Sequence, residues 1–321
     1  MRDAVIVEAV RTPVGKRNGA LREVQPVDLS AHVLTALAER SGIDPAVVED
    51  VVWGCVLQVG EQSLDIARNA VLGAGWPESV PGVSVDRQCG SSQQAVSFAA
   101  ASVIAGQCDV AVAGGVESMT RVQMGMSVAG QWPFGEGYRA RYGDIPPHQG
   151  QGAEMIVERW GFSRTQVDEF SLESHAKAAA AQDEGRFAAE IAAVTNPAGI
   201  KVEADEGVRR GSTLEKLATL KPAFRPDGVI TAGNSSQISD GAAAVLITTS
   251  EKAAELGLTP LVRVHTAVVA ADDPIIMLTG PIPATAKALK RSGLSVGDIG
   301  VFEVNEAFAP VPLAWLAETG A

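Results

Sequence analysis

Apolar positions along the chain alternate between two periods. Residues 4–10 read AVIVEAV, a short apolar run that predicts a buried strand, and Arg11-Thr12-Pro13-Val14-Gly15 turns away from it. Over 28–41 the period becomes helical. Leu29, Val33, Leu37 and Ala38 share one face, Asp28 is a candidate cap, and Gly42 ends the run. Residues 50–57 return to a strand, and 65–73 predict a helix with Ile66, Ala67, Ala70 and Val71 inward. Over 83–117 a strand ends in Asp86-Arg87-Gln88, Cys89 begins a tight turn with Gly90-Ser91-Ser92, a small-residue helix follows, and a second strand closes in Gly114-Gly115. Strands alternating with helices predict an α/β fold, a mostly parallel sheet covered on both faces.

The texture changes over 121–231. Gly, Pro and Tyr crowd the stretch WPFGEGYRARYGDIPPHQGQG, and a helix over 164–185 opens with Ser163 and Gln166 as a capping box. This predicts an inserted subdomain, after which AAVLITT at 243–249 resumes the strand pattern. An internal repeat is also visible. AERSGIDPAVVEDVVWGCV, from Ala38, and LKRSGLSVGDIGVFEVNEA, from Leu289, share a helix end, Arg-Ser-Gly, a short turn and a strand. One residue of gap aligns them and sets Cys55 opposite Asn305, each at a strand's carboxyl end, where open α/β sheets bind ligands.

With 321 residues, 46% hydrophobic and 20% charged, the chain has room for about two domains and a large core. The net charge of −12 argues against nucleic acid and against an anionic membrane surface as partners. Three cysteines are too few for a disulfide framework, the N-terminus has no signal-peptide core, and no run of about 18 apolar residues occurs. The expectation is a cytoplasmic location.

Three stretches carry candidate chemistry. A cysteine at a helix start meets unpaired N–H groups and the positive end of the dipole, which stabilise a thiolate nucleophile and could hold an oxyanion. The opposing reading of Cys89 is a buried core thiol. Arg209, Arg210, Lys216, Lys221 and Arg225 fall in one span that holds a single acid, Glu215, a place for phosphates in so acidic a chain or else a solvated loop. Asn305 and Glu306 follow the strand expected at 301–304 and are free to point into a cleft. His32, His175 and His265 have no zinc-like spacing, so no metal is expected.

QCGSSQQAV, AGGVESMT, GNSSQISDGAAAVLI and NEAFAPVP, in that order and spacing, resemble the thiolase family of acetyl-CoA acetyltransferases and 3-ketoacyl-CoA thiolases. The resemblance implies two duplicated five-stranded mixed sheets with helices in layers. Residues 1–120 and 232–257 would form the N-terminal half, 121–231 a coenzyme A-binding loop domain, and 258–321 the start of the C-terminal half. It implies Cys89 as the acylated nucleophile and Asn305 as the residue ordering a water at the thioester oxygen. Arg209 would contact the nucleotide, and Ser236 and His148 the pantetheine arm. Lys216, where relatives carry Ser, would meet a phosphate. Coenzyme A is then substrate rather than bound cofactor, and relatives are dimers or tetramers. Thiolases also carry a Gly-His-Pro and a Cys-x-Gly motif after NEAFA, and none of the four histidines or three cysteines here lies in such a motif. The expectation is a fragment of a longer protein with its second half incomplete. A non-catalytic coenzyme A-binding relative stays open, as does, less favoured, a ketoacyl synthase.

Overall fold

The computed structural model describes residues 2–321. In chain order the first elements are β1 (Val5–Arg11), β2 (Gly15–Lys16), α1 (Pro26–Ser41), β3 (Asp50–Gly54), α2 (Ile66–Gly73), β4 (Gly82–Val85), α3 (Ser91–Ala105) and β5 (Val110–Ser118). Then come α4 (Glu136–Tyr142), α5 (Gln149–Trp160), α6 (Arg164–Asp183), β6 (Val194–Thr195), β7 (Lys201–Val202) and α7 (Leu214–Ala218). The chain closes with β8 (Ser239–Thr248), α8 (Ser250–Glu255), β9 (Val262–Arg263), α9 (Pro281–Ser292) and α10 (Pro310–Thr319). Two compact units result. One holds residues 2–132, Gly185–Gly207 and Gln237–His265; the other holds Pro133–Glu184, Val208–Ser236 and Thr266–Ala321.

The first unit is built on a seven-stranded sheet of order β4-β3-β5-β8-β1-β9, with β2 paired to β8. The mostly parallel sheet predicted from the alternation is found only on one side. β3 runs parallel to β4 and β5, whereas β8 runs antiparallel to β5 and β1. The reason is where the chain comes back: Ser118 at the end of β5 pairs with Asp240 near the start of β8, so the return is at the same end of the sheet. Side chains alternate between faces with the period of two expected of strands. Val51, Trp53, Val112 and Leu246 pack against Leu29, Val33 and Leu37 of α1 and Ile66 of α2. Val52, Ala111, Ala113 and Ile247 meet Ala95, Ala99 and Val103 of α3. Residues 185–207 are pinned to this sheet by Arg11, which donates to Asp205 at 2.7 and 3.1 Å and to Glu190 at 2.6 Å.

Several boundaries differ from expectation. α1 begins at Pro26, and its cap is Gln25, whose side chain accepts from Val27 N–H; Asp28 sits inside the first turn. β3 ends at Gly54: Cys55 N–H still donates to the Val85 carbonyl of β4 at 3.0 Å, but Val56 N–H leaves the ladder and donates to the Glu117 carboxylate at 2.9 Å. The Ser163–Gln166 capping box of α6 is present as predicted.

The second unit is helical. Ile156 of α5, Val167 of α6 and Val311 and Ala314 of α10 enclose Ile230, Ile276 and Phe308. The strand expected at 301–304 is not formed: these residues pair with no strand among the described residues, and Val301 is exposed. The rest of the repeat is visible. Gly42 and Gly293 end α1 and α9 in the left-handed region (φ 72° and 75°), and a 3-10 turn follows each, Pro45–Val47 and Val296–Asp298. Among the described residues, no helix is long and apolar enough to cross a membrane.

Candidate active site

Cys89 lies in the turn between β4 and α3, and it is exposed. The core-thiol reading therefore does not describe it. Local sequence builds this turn. The Asp86 carboxylate accepts Gln88 N–H at 2.7 Å, and the Ser91 hydroxyl accepts Arg87 N–H at 2.9 Å while donating to the Gln88 carbonyl at 2.6 Å. Gln88 adopts φ 48°, a left-handed conformation uncommon outside glycine, and so kinks the chain just before the cysteine. The first turn of α3 rests on two strand glycines. A Cβ on Gly54 would lie 2.3 Å from Ser92 N, and one on Gly115 would lie 2.1 Å from Ser92 Oγ. Any side chain there would lift the helix start and the cysteine with it. Cys55 and Cys108 are different: both are buried, and burial pushes their thiols up to about 12 and about 11, with Glu117 adding to the effect on Cys55.

The ends of β3 and β5 are tied by a pair that sequence reasoning missed. Gln62, fully buried, donates to the Leu57 carbonyl at 2.9 Å and to Glu117 at 2.6 Å, and its carbonyl accepts Ser118 N–H at 2.8 Å. Glu117 of AGGVESMT was the available signal, a charge closing an apolar strand.

The other five candidates, His148, Arg209, Lys216, Ser236 and Asn305, belong to the second unit, where short contacts string most of them together. His148 caps α5, its Nδ1 accepting Gln151 N–H at 3.4 Å, and its ring meets Phe224 edge-on at 5.5 Å. Phe224 in turn meets Phe308 at 5.9 Å. Beside Phe308, the Ala307 carbonyl accepts Ser236 N–H at 2.9 Å. The Glu306 carboxylate accepts the Ser174 hydroxyl of α6 at 2.6 Å, so Glu306 is engaged rather than free as the sequence suggested. Next along α6, His175 Nδ1 accepts Arg209 N–H at 3.3 Å. Burial and the Arg209 charge hold His175 below the usual histidine range, with Glu306 opposing them.

Leu172, His175 and Ala176 face Arg209, Arg210 and Ser212 across an open cleft of about 270 Å³. The basic span is less available than its composition suggests. Arg210 is held by Asp183 with two contacts of 2.9 Å, and Arg225 by Glu158 and Gln151. Lys216 Nζ donates to the Gly211 carbonyl at 3.1 Å. The Arg209 guanidinium makes no hydrogen bond among the described residues, which leaves it for an anion. His175, dismissed as a metal ligand from the sequence, is the cleft residue that reasoning missed. No cluster of three or more metal-ligating side chains occurs among the described residues.

The comparisons agree across the chain. The thiolase N-terminal domain model matches residues 4–251, and the thiolase C-terminal domain model matches 258–321. The steroid 3-ketoacyl-CoA thiolase FadA6 of Mycobacterium tuberculosis is 48% identical over 326 aligned positions, covering 99% of this chain and 79% of its own length. A 3-ketoacyl-CoA thiolase of Saccharophagus degradans is 45% identical, with 99% and 82% covered. The crystal structure of the Bacillus anthracis acetyl-CoA acetyltransferase superposes with a TM-score of 0.89 at 37% identity, covering 100% of this chain and 84% of that one. The chain therefore belongs to the thiolase family, enzymes that transfer acyl groups between coenzyme A thioesters.

Proposed function

We propose that Cys89 is the acylated nucleophile of 3-ketoacyl-CoA thiolysis. Its thiolate adds to the 3-keto carbon, the C2–C3 bond breaks, and the enolate of acetyl-CoA departs and takes up a proton. The thiol of a second coenzyme A then attacks the Cys89 thioester, releasing the shortened acyl-CoA and regenerating the sulfur. Asn305 acts in this reading on the thioester oxygen through a water. Arg209 holds a phosphate of the nucleotide with Lys216 beside it, and His148 and Ser236 flank the pantetheine arm. The ketone-cleaving direction follows the names of the relatives, 3-ketoacyl-CoA thiolases from several bacteria.

One observation carries the proposal: of three cysteines, only Cys89 is exposed, and it stands at a helix start seated on glycine. Incubation with acetoacetyl-CoA followed by peptide mass spectrometry tests it. Acetylation is expected on Cys89 alone and is lost in C89S. Acetylation retained in C89S overturns the assignment. Separately, R209A is expected to weaken coenzyme A binding about tenfold by calorimetry. Unchanged affinity removes Arg209 from the site.

The same reading takes 1–120 and 232–257 as the N-terminal half, 121–231 as the loop domain, and 258–321 as the start of the C-terminal half, in a cytoplasmic homodimer or homotetramer. β4 supports the assembly. It is an edge strand, and Val83 on it is exposed, as are Phe98 and Ile104 on α3; exposed edges of this kind pair with other chains. Sedimentation equilibrium at the monomer mass would remove this part.

A further inference from the structure

Residues 300–306 lead to the asparagine, and among the described residues they make no backbone hydrogen bond. Phe302, four residues before Glu306, meets the Trp315 ring at 5.1 Å with the two planes tilted by 60°. Ala307 and Ala309 are anchored on the other side, through Ser236 N–H and the Asn234 carbonyl. Between these anchors, the one side-chain hydrogen bond at the Asn305–Glu306 pair among the described residues is that of the Ser174 hydroxyl to the Glu306 carboxylate, 2.6 Å. α6 is a firm support for it. Its start is closed by the capping box, and buried Asp168 on it accepts from Arg164 at 2.7 Å and from Asn234 at 2.9 Å.

We propose that Ser174 is a positioning residue that fixes the Asn305–Glu306 turn through its bond to the Glu306 carboxylate and so orients the Asn305 amide. This rests on the reading of Asn305 as catalytic. A hydroxyl-to-carboxylate bond is charge-assisted, and it acts where the backbone supplies no other restraint. Without it the pair can rotate about the flanking torsions, and Asn305 loses a single orientation toward substrate. Ser174 touches no reacting atom. Its removal is expected in the rate of the step that Asn305 serves, not in ligand affinity.

Two measurements on the full chain decide it. Hydrogen–deuterium exchange at the hydrogen-bonded amides that border the turn, Ser236 and Ala309, is expected to speed up about fivefold in S174A and to return to the parent rate in S174T, with exchange of the β3 peptide unchanged. Parent-like exchange in S174A, or no recovery in S174T, overturns the proposal. In acetoacetyl-CoA thiolysis, S174A is expected to lower kcat about fivefold with KM for coenzyme A unaltered, and to add nothing in an N305A background. A loss that adds to that of N305A, or a raised KM at constant kcat, overturns it. Should N305A itself turn over like the parent, the catalytic reading of Asn305 fails, while exchange still shows whether Ser174 orders the turn.

Discussion

The two copies of the internal repeat have opposite fates. In the first, α1 ends at Gly42, a 3-10 turn follows, and β3 runs between β4 and β5 with Val51 at 0% exposure. In the second, α9 ends at Gly293, a 3-10 turn follows, and residues 301–304 pair with no strand among the described residues. Val301, which aligns with Val51, is 85% exposed. Same residue, same place after the same turn, opposite burial. The helix end and the turn are local structure, set by a left-handed glycine and by side-chain caps such as Asp44 and Ser295. The strand is not local: it exists where neighbours supply a ladder and two apolar faces. Packing holds the first copy in place. Individual side-chain contacts hold the second.

The largest break of this comparison is to exchange aligned residues. Val304 of the second copy aligns with Gly54 of the first. G54V would force a branched side chain into the first turn of α3, where even a Cβ would lie 2.3 Å from Ser92 N. A loss of more than about 3 kcal/mol in urea unfolding is expected, with alkylation of Cys89 by iodoacetamide slowed alongside. The reverse exchange, V304G, should cost about 1 kcal/mol or less, since residues 301–304 have no ladder to weaken. A tolerated G54V would show that the glycine seat does not fix the cysteine.

A smaller effect sharpens the same point. V51A removes buried methyls between α1 and the sheet and should cost about 2 kcal/mol. V301A should stay within about 0.5 kcal/mol of the parent. Comparable costs for the two would mean that residues 301–304 are packed, against their exposure here.

How much of this was legible beforehand follows the same division. The turn at Cys89, the capping box of α6 and the glycine helix ends were all readable, because each is written in a few adjacent residues. Six site residues were named from motifs. What sequence missed depends on residues far apart in the chain. Gln62 meets Glu117 across 55 positions and Ser174 meets Glu306 across 132, and no periodicity announces either pair. The engagement of part of the basic span was hidden for a related reason: its composition was visible, but the acids that hold Arg210 and Arg225, Asp183 and Glu158, lie on other elements. The sheet's mixed direction depended on where an excursion of some hundred residues returns, which strand patterns do not encode.

If packing holds the first copy and titratable contacts hold the second, pH should separate them. The buried strand β3 packs apolar side chains, and its titratable residue, Asp50, is held above the usual carboxylate range chiefly by burial, so the folded state takes up that proton more readily and acidification does not loosen the strand. Beside the 305–306 turn, His175 is kept below the ordinary histidine value of 6.5, first by burial, then by Arg209, against the pull of Glu306. An opened or unfolded state therefore binds a proton that the folded state resists, so the unfolded state carries more protons in that window. Stability from this group is fully present above 6.5 and is lost as pH falls through the lower folded value. The expected result is the smallest of the three: once rates are normalised to the intrinsic pH dependence of amide exchange, protection falls below pH 6.5 in 172–176 and at Ser236 and Ala309, stays constant in 50–54, and responds less in H175Q. An anion in the cleft, facing Arg209 and His175, would favour the protonated ring. Coenzyme A binding is then expected to take up protons in calorimetry at pH 6, measured from the dependence on buffer ionisation enthalpy. Equal pH sensitivity in the two segments would mean that His175 does not govern the second, and the contrast between packing and contact would have to be drawn elsewhere.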